Sequence, residues 1–218
     1  MANQSGIIRI LLVDDHAVVR AGYRRFLEQE PGYEVIAEAD SGESAYAFLQ
    51  TQSPDIVILD LSMPGRGGLS TLERLRMRWP RLPVLVCSMH DNLAFVIQAM
   101  RAGANGYVTK SSDPAFMVTA VRRVVAGVPA LSPDVADKLG RAATFNEEQQ
   151  PTLGLSVREF EIFRLIAVGK SHEEIATALS LSAKTVANNH SLIKQKLGIA
   201  SDIELFQLAV GCGAVASS

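Results

Sequence analysis

Residues 56 to 65 read IVILDLSMPG, in which four aliphatic residues, Ile56 to Leu59, run straight onto a carboxylate, Asp60. Pro54 precedes the run and Met63-Pro64-Gly65 closes it, so it reads as a short strand buried on both faces. A charge at the end of such a strand is costly unless it sits at the rim of the sheet with partners. Most aspartates beside turn residues do no more than cap the turn. The other reading is a reactive carboxylate at the carboxyl edge of a parallel sheet, where α/β folds place their sites. The residues around it decide between the two.

On both sides of this strand the pattern alternates. Strand-like segments fall at Ile8–Val13, Tyr33–Ala39, Ile56–Asp60, Val84–Ser88 and Gly106–Thr109. Amphipathic stretches lie between them, near Val18–Glu28, Glu43–Gln50, Leu69–Arg78 and Leu93–Ala102, with a last one at Pro114–Ala126. Right-handed crossovers return each strand parallel to the last, so the expected class is α/β, a doubly wound five-stranded parallel sheet over residues 1–127. No GxGxxG or GxxxxGK[ST] loop follows the first strand, which argues against a nucleotide-binding enzyme. Residues 128–151 carry prolines and a polar run, read as a linker with room for one short helix capped by Ser132 and opened by Pro133. Residues 152–218 show no strand pattern. Four helical segments are expected there, near 156–168, 172–179, 183–197 and 201–211, forming a small all-α domain.

Composition narrows the classes further. The 218 residues carry 21 basic and 23 acidic side chains, so neither a polyanion-binding tail nor an acidic tail is present. Of the two cysteines, Cys87 lies in an apolar run and reads as a core thiol, which suits a reducing compartment. The N-terminus lacks a secretory pattern and no apolar run reaches membrane-spanning length, so the expectation is a cytoplasmic protein without a membrane partner.

In a doubly wound sheet the strand ends share one edge. The first strand closes on Asp14 and Asp15, the third on Asp60, the fourth on Ser88 and the fifth on Lys110. Three carboxylates close together repel one another, and a hard divalent cation such as Mg2+ relieves the repulsion through oxygen ligands. Lys110 adds a positive charge and Ser88 a hydroxyl, so the set suits a phosphoryl group held beside the metal. Taken singly, Asp14 or Asp15 reads as a helix cap, Ser88 as a turn residue and Lys110 as a solvated charge. One component per strand, in this order, is far more specific.

The pieces LLVDDH, DIVILDLSMPG, VLVCSMH and GANGYVTKSS resemble the receiver domain of two-component response regulators, over roughly residues 7 to 127. The resemblance implies a flavodoxin/CheY-like fold and a phosphoryl group passed to Asp60 by a cognate histidine kinase. It also implies that Asp15, Asp60 and the backbone carbonyl of Ser62 hold Mg2+, with Asp14 supporting the metal through water. Lys110 would pair with the phosphoryl oxygens. Ser88 would turn inward to bond them, and Tyr107 would follow it from an outward to an inward rotamer.

The second domain is legible on its own. Ser156 and Glu159 are spaced as a capping box. SHEEIATALSLSAKTVANN reads as a helix, a short turn over Leu179–Ser182, and a second helix capped by Ser182. On that second helix Val186, Ile193 and Leu197 fall inward, while Lys184, Asn188, Ser191 and Gln195 share another face. A polar stripe is usually a solvated face. This one is short-chained, amide-bearing and free of acids, which suits insertion in the DNA major groove. Residues 155–199 resemble the helix-turn-helix of LuxR-type regulators, and both halves together resemble response regulators of the NarL/FixJ type. By that resemblance Ala187, Asn188 and Ser191 face bases, while Lys184, Thr185, Lys194 and Lys196 meet phosphates of a double-stranded operator. Asn189 and Ala187 depart from the residues common in that family, which bears on operator sequence rather than binding mode.

Residues 152–218 hold six basic and six acidic side chains, a low balance for a DNA-binding domain, so paired copies on paired half-sites are expected. The last helix presents Ile203, Leu205, Phe206, Leu208, Ala209 and Cys212, more apolar surface than a small trihelical core needs, and the resemblance implies a homodimer contact there. Two rival readings are weaker. An aspartate-nucleophile phosphatase of the haloacid dehalogenase type needs a second aspartate two residues past the nucleophile, where Ser62 stands. A receiver with a vestigial tail conflicts with the intact recognition helix.

Overall fold

The computed structural model describes residues 6–63, 67–142 and 151–215; Pro64 and Gly65 of the opening stretch, and 143–150 of the linker, lie outside the described residues. The chain runs β1 Ile8–Val13, α1 Ala17–Leu27, β2 Tyr33–Ala39, α2 Gly42–Leu49, β3 Ile56–Leu59 and α3 Gly68–Arg78. It continues as β4 Val84–Ser88, α4 Leu93–Arg101, β5 Gly106–Thr109 and α5 Pro114–Val125. The sheet order is β2-β1-β3-β4-β5-β6, and every pairing is parallel. The order reverses beside β1, so the crevice lies over the carboxyl ends of β1 and β3, where Asp14, Asp15 and Asp60 follow their strands.

Two-sided burial explains the unbroken IVIL run. Leu11, Val13, Val57, Leu59 and Val86 pack with residues of α2, α3 and α4, while Ile10, Leu12, Ile56, Ile58, Leu85 and Cys87 pack with those of α5 and with Leu27 of α1. Each such fully buried aliphatic side chain contributes about 1.5–3 kcal/mol of transfer free energy. Cys87 is a core thiol as expected, and burial pushes it up to about 12.

The expectation of five strands is corrected to six. β6, Ala130–Leu131, comes from the linker and pairs with β5 through Gly106↔Ala130 and Tyr107↔Leu131. Two residues between prolines are too short to show a strand period, and only the waiting edge of β5 reveals them. α6, Pro133–Ala142, follows, opened by Pro133. Ser132 is buried, and its hydroxyl accepts the Thr109 amide at 3.4 Å. Asp134 accepts the hydroxyls of Thr109 (3.0 Å) and Ser112 (3.1 Å), which ties the linker to the loop after β5.

A 3₁₀ turn at Pro151–Gly154 leads into α7 Val157–Ala167, α8 His172–Leu179, α9 Ala183–Leu197 and α10 Asp202–Gly211. Ser156 with Glu159 forms the capping box read from the sequence, and Ser171 with Glu174 forms another. Phe160, Phe163, Ile175, Leu179, Val186, Ile193, Leu205 and Ala209 build the core of these four helices. That core is continuous with the α2–α4 side of the sheet. Phe95 of α4 meets Phe160 of α7 edge-on, with ring centroids 5.1 Å apart, and the Arg164 guanidinium lies 5.3 Å from the Phe95 ring. Buried Gln98 of α4 donates to the carbonyls of Thr152 (3.1 Å) and Leu155 (3.2 Å), so its amide protons are satisfied by the helical domain.

Candidate functional site

Strand ends from three parts of the sheet converge on one ammonium. Lys110, just past β5, donates to Asp14 Oδ2 at 2.6 Å and to Asp60 Oδ2 at 2.8 Å, and all three side chains are buried. Asp60 Oδ1 accepts the Ser62 amide at 3.0 Å. Asp14 Oδ1 accepts the His16 amide at 2.8 Å, which folds the turn between β1 and α1. Burial alone would lower the Lys110 ammonium, but Asp14 and Asp60 outweigh it and hold the group above its ordinary value. The ammonium therefore stays charged while bridging two acids.

Asp15 completes the cluster. One ammonium against Asp14, Asp15 and Asp60 leaves the pocket net negative, which suits a divalent cation. Asp15 Oδ1 is buried and without a hydrogen bond, and His16 Nδ1 lies between it (3.0 Å) and Asp14 Oδ1 (3.2 Å). A buried carboxylate oxygen that no hydrogen bond satisfies, inside an acidic cluster, is the donor a hard cation requires. Donor atoms of Asp14, Asp15, His16 and Asp60 lie within 4.8 Å of one another. The three carboxylates fit Mg2+.

The switch candidates lie beside the pocket, joined through His90. The Ser88 hydroxyl accepts the His90 amide at 3.2 Å, and the Tyr107 hydroxyl donates to the His90 carbonyl at 2.5 Å. Tyr107 is fully buried, and burial pushes its phenol well above the usual range. His90 stacks on Phe95 at 3.9 Å, and burial lowers its imidazole to about 4. Hence the residue that joins the switch pair touches the ring that meets the helical domain.

Two neighbours escaped the sequence reading. Arg20, on α1, donates to the Asp14 carbonyl and pairs with Glu38 at 3.3 Å, bracing the turn that carries both acids. His16 adds a nitrogen to the cluster. The only sequence signal for either is proximity to Asp14 and Asp15, and an arginine one helical turn into α1 looks like any solvated charge.

On α9 the expected stripe is outward. Lys184, Thr185, Asn188, Ser191 and Gln195 are exposed, Ala187 is half-buried, and Val186 and Ile193 are buried. Ser182 caps the helix by accepting the Thr185 amide at 3.0 Å. The lysines differ among themselves. Lys194 pairs with Asp202 at 2.7 Å and Lys196 with Glu159 at 2.7 Å, whereas Lys184 stands exposed at the opening turn. Ser191 returns its hydroxyl to the Ala187 carbonyl at 3.3 Å. Below the stripe, His190 joins His172 of α8 (3.0 Å) to Asp202 of α10 (2.9 Å) and so links three helices. On α10, Leu205 and Ala209 are buried while Ile203 and Phe206 stay exposed, as the excess of apolar side chains implied.

A parallel α/β domain with an acid-lysine cluster at its switch point, joined to a helix-turn-helix with an open polar face, defines a receiver coupled to a DNA-binding module. The comparisons agree. The model for the response regulator receiver domain matches residues 10–122, and that for bacterial regulatory proteins of the luxR family matches 153–209. The chain belongs to the response regulators that join a receiver to a LuxR-type DNA-binding domain, the NarL/FixJ type.

Similar proteins include the transcriptional activator protein ExaE of Pseudomonas putida, 41% identical over 210 residues, covering 94% of this chain and 96% of that one. The response regulator UvrY of Escherichia coli is 36% identical over 208 residues, 95% of each chain. Among solved structures, RcsB from Salmonella enterica serovar Typhimurium, bound to promoter rprA with the phosphomimetic BeF3-, matches with a TM-score of 0.72 at 27% identity. That match covers 93% of this chain and 98% of RcsB.

Proposed function

We propose that this response regulator takes a phosphoryl group on Asp60 from the phosphohistidine of a sensor kinase and, so modified, pairs on a double-stranded operator to regulate transcription. The observation that carries this reading is the buried Asp60 carboxylate, bonded to Lys110 at 2.8 Å beside Asp14 and the buried oxygen of Asp15. An oxygen of Asp60 attacks phosphorus; the phosphorus–nitrogen bond breaks, and the electron pair leaves with the imidazole. The step needs charge neutralisation more than acid or base help. Lys110 meets the phosphoryl oxygens, giving up its bond to Asp60 as it does so. Asp15, Asp60 and the Ser62 carbonyl would hold Mg2+ and Asp14 would support it through water; when bound, the ion neutralises charge on the transferred group. The product is a mixed anhydride, which suits a reversible signal. Ser88 and Tyr107 then read the new anion and pass it to His90.

On DNA, Lys184 and Thr185 meet phosphates while Ala187, Asn188 and Ser191 face base edges; Lys194 and Lys196 join the phosphates by releasing Asp202 and Glu159. The reading divides the chain at 127 and 151, with the receiver before the linker and the DNA-binding domain after it. It places the protein with its DNA in the cytoplasm, and no helix among the described residues is long and apolar enough to cross a membrane. Turnover as a phosphatase is disfavoured, because Ser62 stands where such an enzyme needs a carboxylic acid.

Footprinting with the full chain, with and without acetyl phosphate, tests the proposal. A protected operator that strengthens on phosphorylation in the wild type, and not in Asp60→Asn, is the expected result. Metal binding gives a finer check. Asp15→Ala should weaken Mg2+ binding more than Asp14→Ala, because a direct ligand is lost in the first and a water-mediated support in the second. Equal losses in a Mg2+ titration of the two variants would remove the distinction.

A further inference from the structure

We propose that Glu161, on the first helix of the DNA-binding domain, caps α3 of the receiver and thereby positions the Asp60–Ser62 loop for metal binding. The inference rests on the phosphoacceptor reading above. α3 begins at Gly68, and its N-cap, Gly67, has no side chain with which to accept an orphan amide. The acceptor comes from ninety-one residues away. Glu161 Oε2 accepts the Ser70 hydroxyl at 2.6 Å, and Oε1 takes the Ser70 amide, the third of the helix, in a longer contact of 3.4 Å. A carboxylate receiving the third amide of a helix does what an N-cap side chain does, with the helix dipole in its favour.

The fit is close. A Cβ at Gly67 would lie 2.1 Å from Glu161 Oε1, and Gly67 itself has φ +81°, so only glycine both makes the turn and admits the carboxylate. Glu161 is buried, and burial pushes its carboxyl up; Arg158 at 3.2 Å supplies a counter-charge. Gln98 and Phe95 hold the same two surfaces together one helix further on.

The capped turn rests directly on the phosphoacceptor strand end. The Gly68 amide donates to the Leu61 carbonyl at 3.3 Å, and a Cβ at Gly68 would lie 2.3 Å from Leu61 Cα and 2.6 Å from the Asp60 carbonyl oxygen. At Gly68 the first turn of α3 lies directly against the backbone of Asp60 and Leu61. Anchoring that turn therefore anchors the residues that hold the metal. Coupling between two sites is reciprocal, so a bound cation in turn favours docking of the DNA-binding domain on α3.

The test uses the full chain and two readouts as Mg2+ is titrated: calorimetric binding of the ion itself, and initial rates of phosphoryl uptake with acetyl phosphate as donor. Glu161→Ala should raise the half-saturating Mg2+ concentration about fivefold, the weight of one capping acceptor, with the maximal rate nearly unchanged. Glu161→Gln keeps a neutral acceptor and should shift it less. Ser70→Ala should also shift it, and adding that change to Glu161→Ala should have little further effect, because the two act through one contact. A role confined to packing within α7 would leave the receiver's metal dependence alone. Unshifted Mg2+ dependence in Glu161→Ala, or shifts of Ser70→Ala and Glu161→Ala that simply add, would overturn the inference. Should Glu161→Ala fail to fold, the near-isosteric Glu161→Gln and Ser70→Ala decide it by the same measurement. If the wild type itself takes no phosphoryl group at Asp60, the phosphoacceptor reading fails, and this inference with it.

Discussion

Asp60→Asn should take up no phosphoryl group from acetyl phosphate, while the fold stays intact. The amide oxygen carries no full negative charge, so the nucleophile is lost outright and uptake falls to background. The surroundings accept the change. An Asn oxygen still receives the Ser62 amide, and Lys110 keeps Asp14 at 2.6 Å when its bond to Asp60 weakens. One fewer carboxylate in the pocket also means less mutual repulsion. The melting temperature should therefore hold within a few degrees, so that loss of phosphorylation is not loss of folding. Intact-mass spectrometry after incubation with acetyl phosphate and Mg2+ reads the result directly. An undiminished phosphorylated species in the variant would refute the assignment.

The second large effect concerns DNA. A fragment starting near Pro151, with α7 to α10 and no receiver, should bind the operator at least tenfold more weakly than the phosphorylated full chain. Two mechanisms compete. If the receiver masks the recognition helix, removing it strengthens binding; if the receiver's task is to pair two copies, removing it weakens binding. Lys184, Thr185, Asn188 and Ser191 are exposed with the receiver docked, because α7, the 3₁₀ turn before it and Gly213 after α10 meet the receiver instead. The domain has no net formal charge, and Lys194 and Lys196 must leave Asp202 and Glu159 before reaching phosphates. Counterion release is then small for one copy. Joining two copies raises affinity roughly a hundredfold to ten-thousandfold without any new contact, provided the half-sites match. An operator titration of the fragment beside the phosphorylated and unphosphorylated full chain separates the two. Binding by the fragment as tight as that of the phosphorylated protein would replace pairing by masking.

Most of the site could be read along the chain. The run Ile56–Leu59 ending on Asp60, the adjacent Asp14 and Asp15, and Lys110 after Gly106–Thr109 each sit at a strand end, and parallel topology sends strand ends to one edge. Ser156, Ser182 and the inward positions Val186 and Ile193 follow from capping and helical spacing, which are properties of neighbours in sequence. Ser62 is legible only as a position; which way its carbonyl faces is not a property of the sequence.

By itself the sequence determined the two domains, the parallel α/β order of the first, the acid pocket at its edge and the helix with an open polar face in the second. These depend on periods of two and 3.6 residues and on which residue ends each strand, and such signals survive without a partner in view. Only the tertiary structure decided the rest. β6 exists because β5 offers an open edge, not because Ala130–Leu131 has strand character of its own. Arg20 braces Asp14 because α1 turns it back over the strand end. Lys194 and Lys196 are tied down by acids on α10 and α7, so two residues that look free in sequence are not. The α3 cap comes from a glutamate ninety-one residues away, at a contact that no local pattern encodes. Short-range order is written in composition and spacing, whereas these contacts depend on which surfaces meet once the hydrophobic faces have been buried.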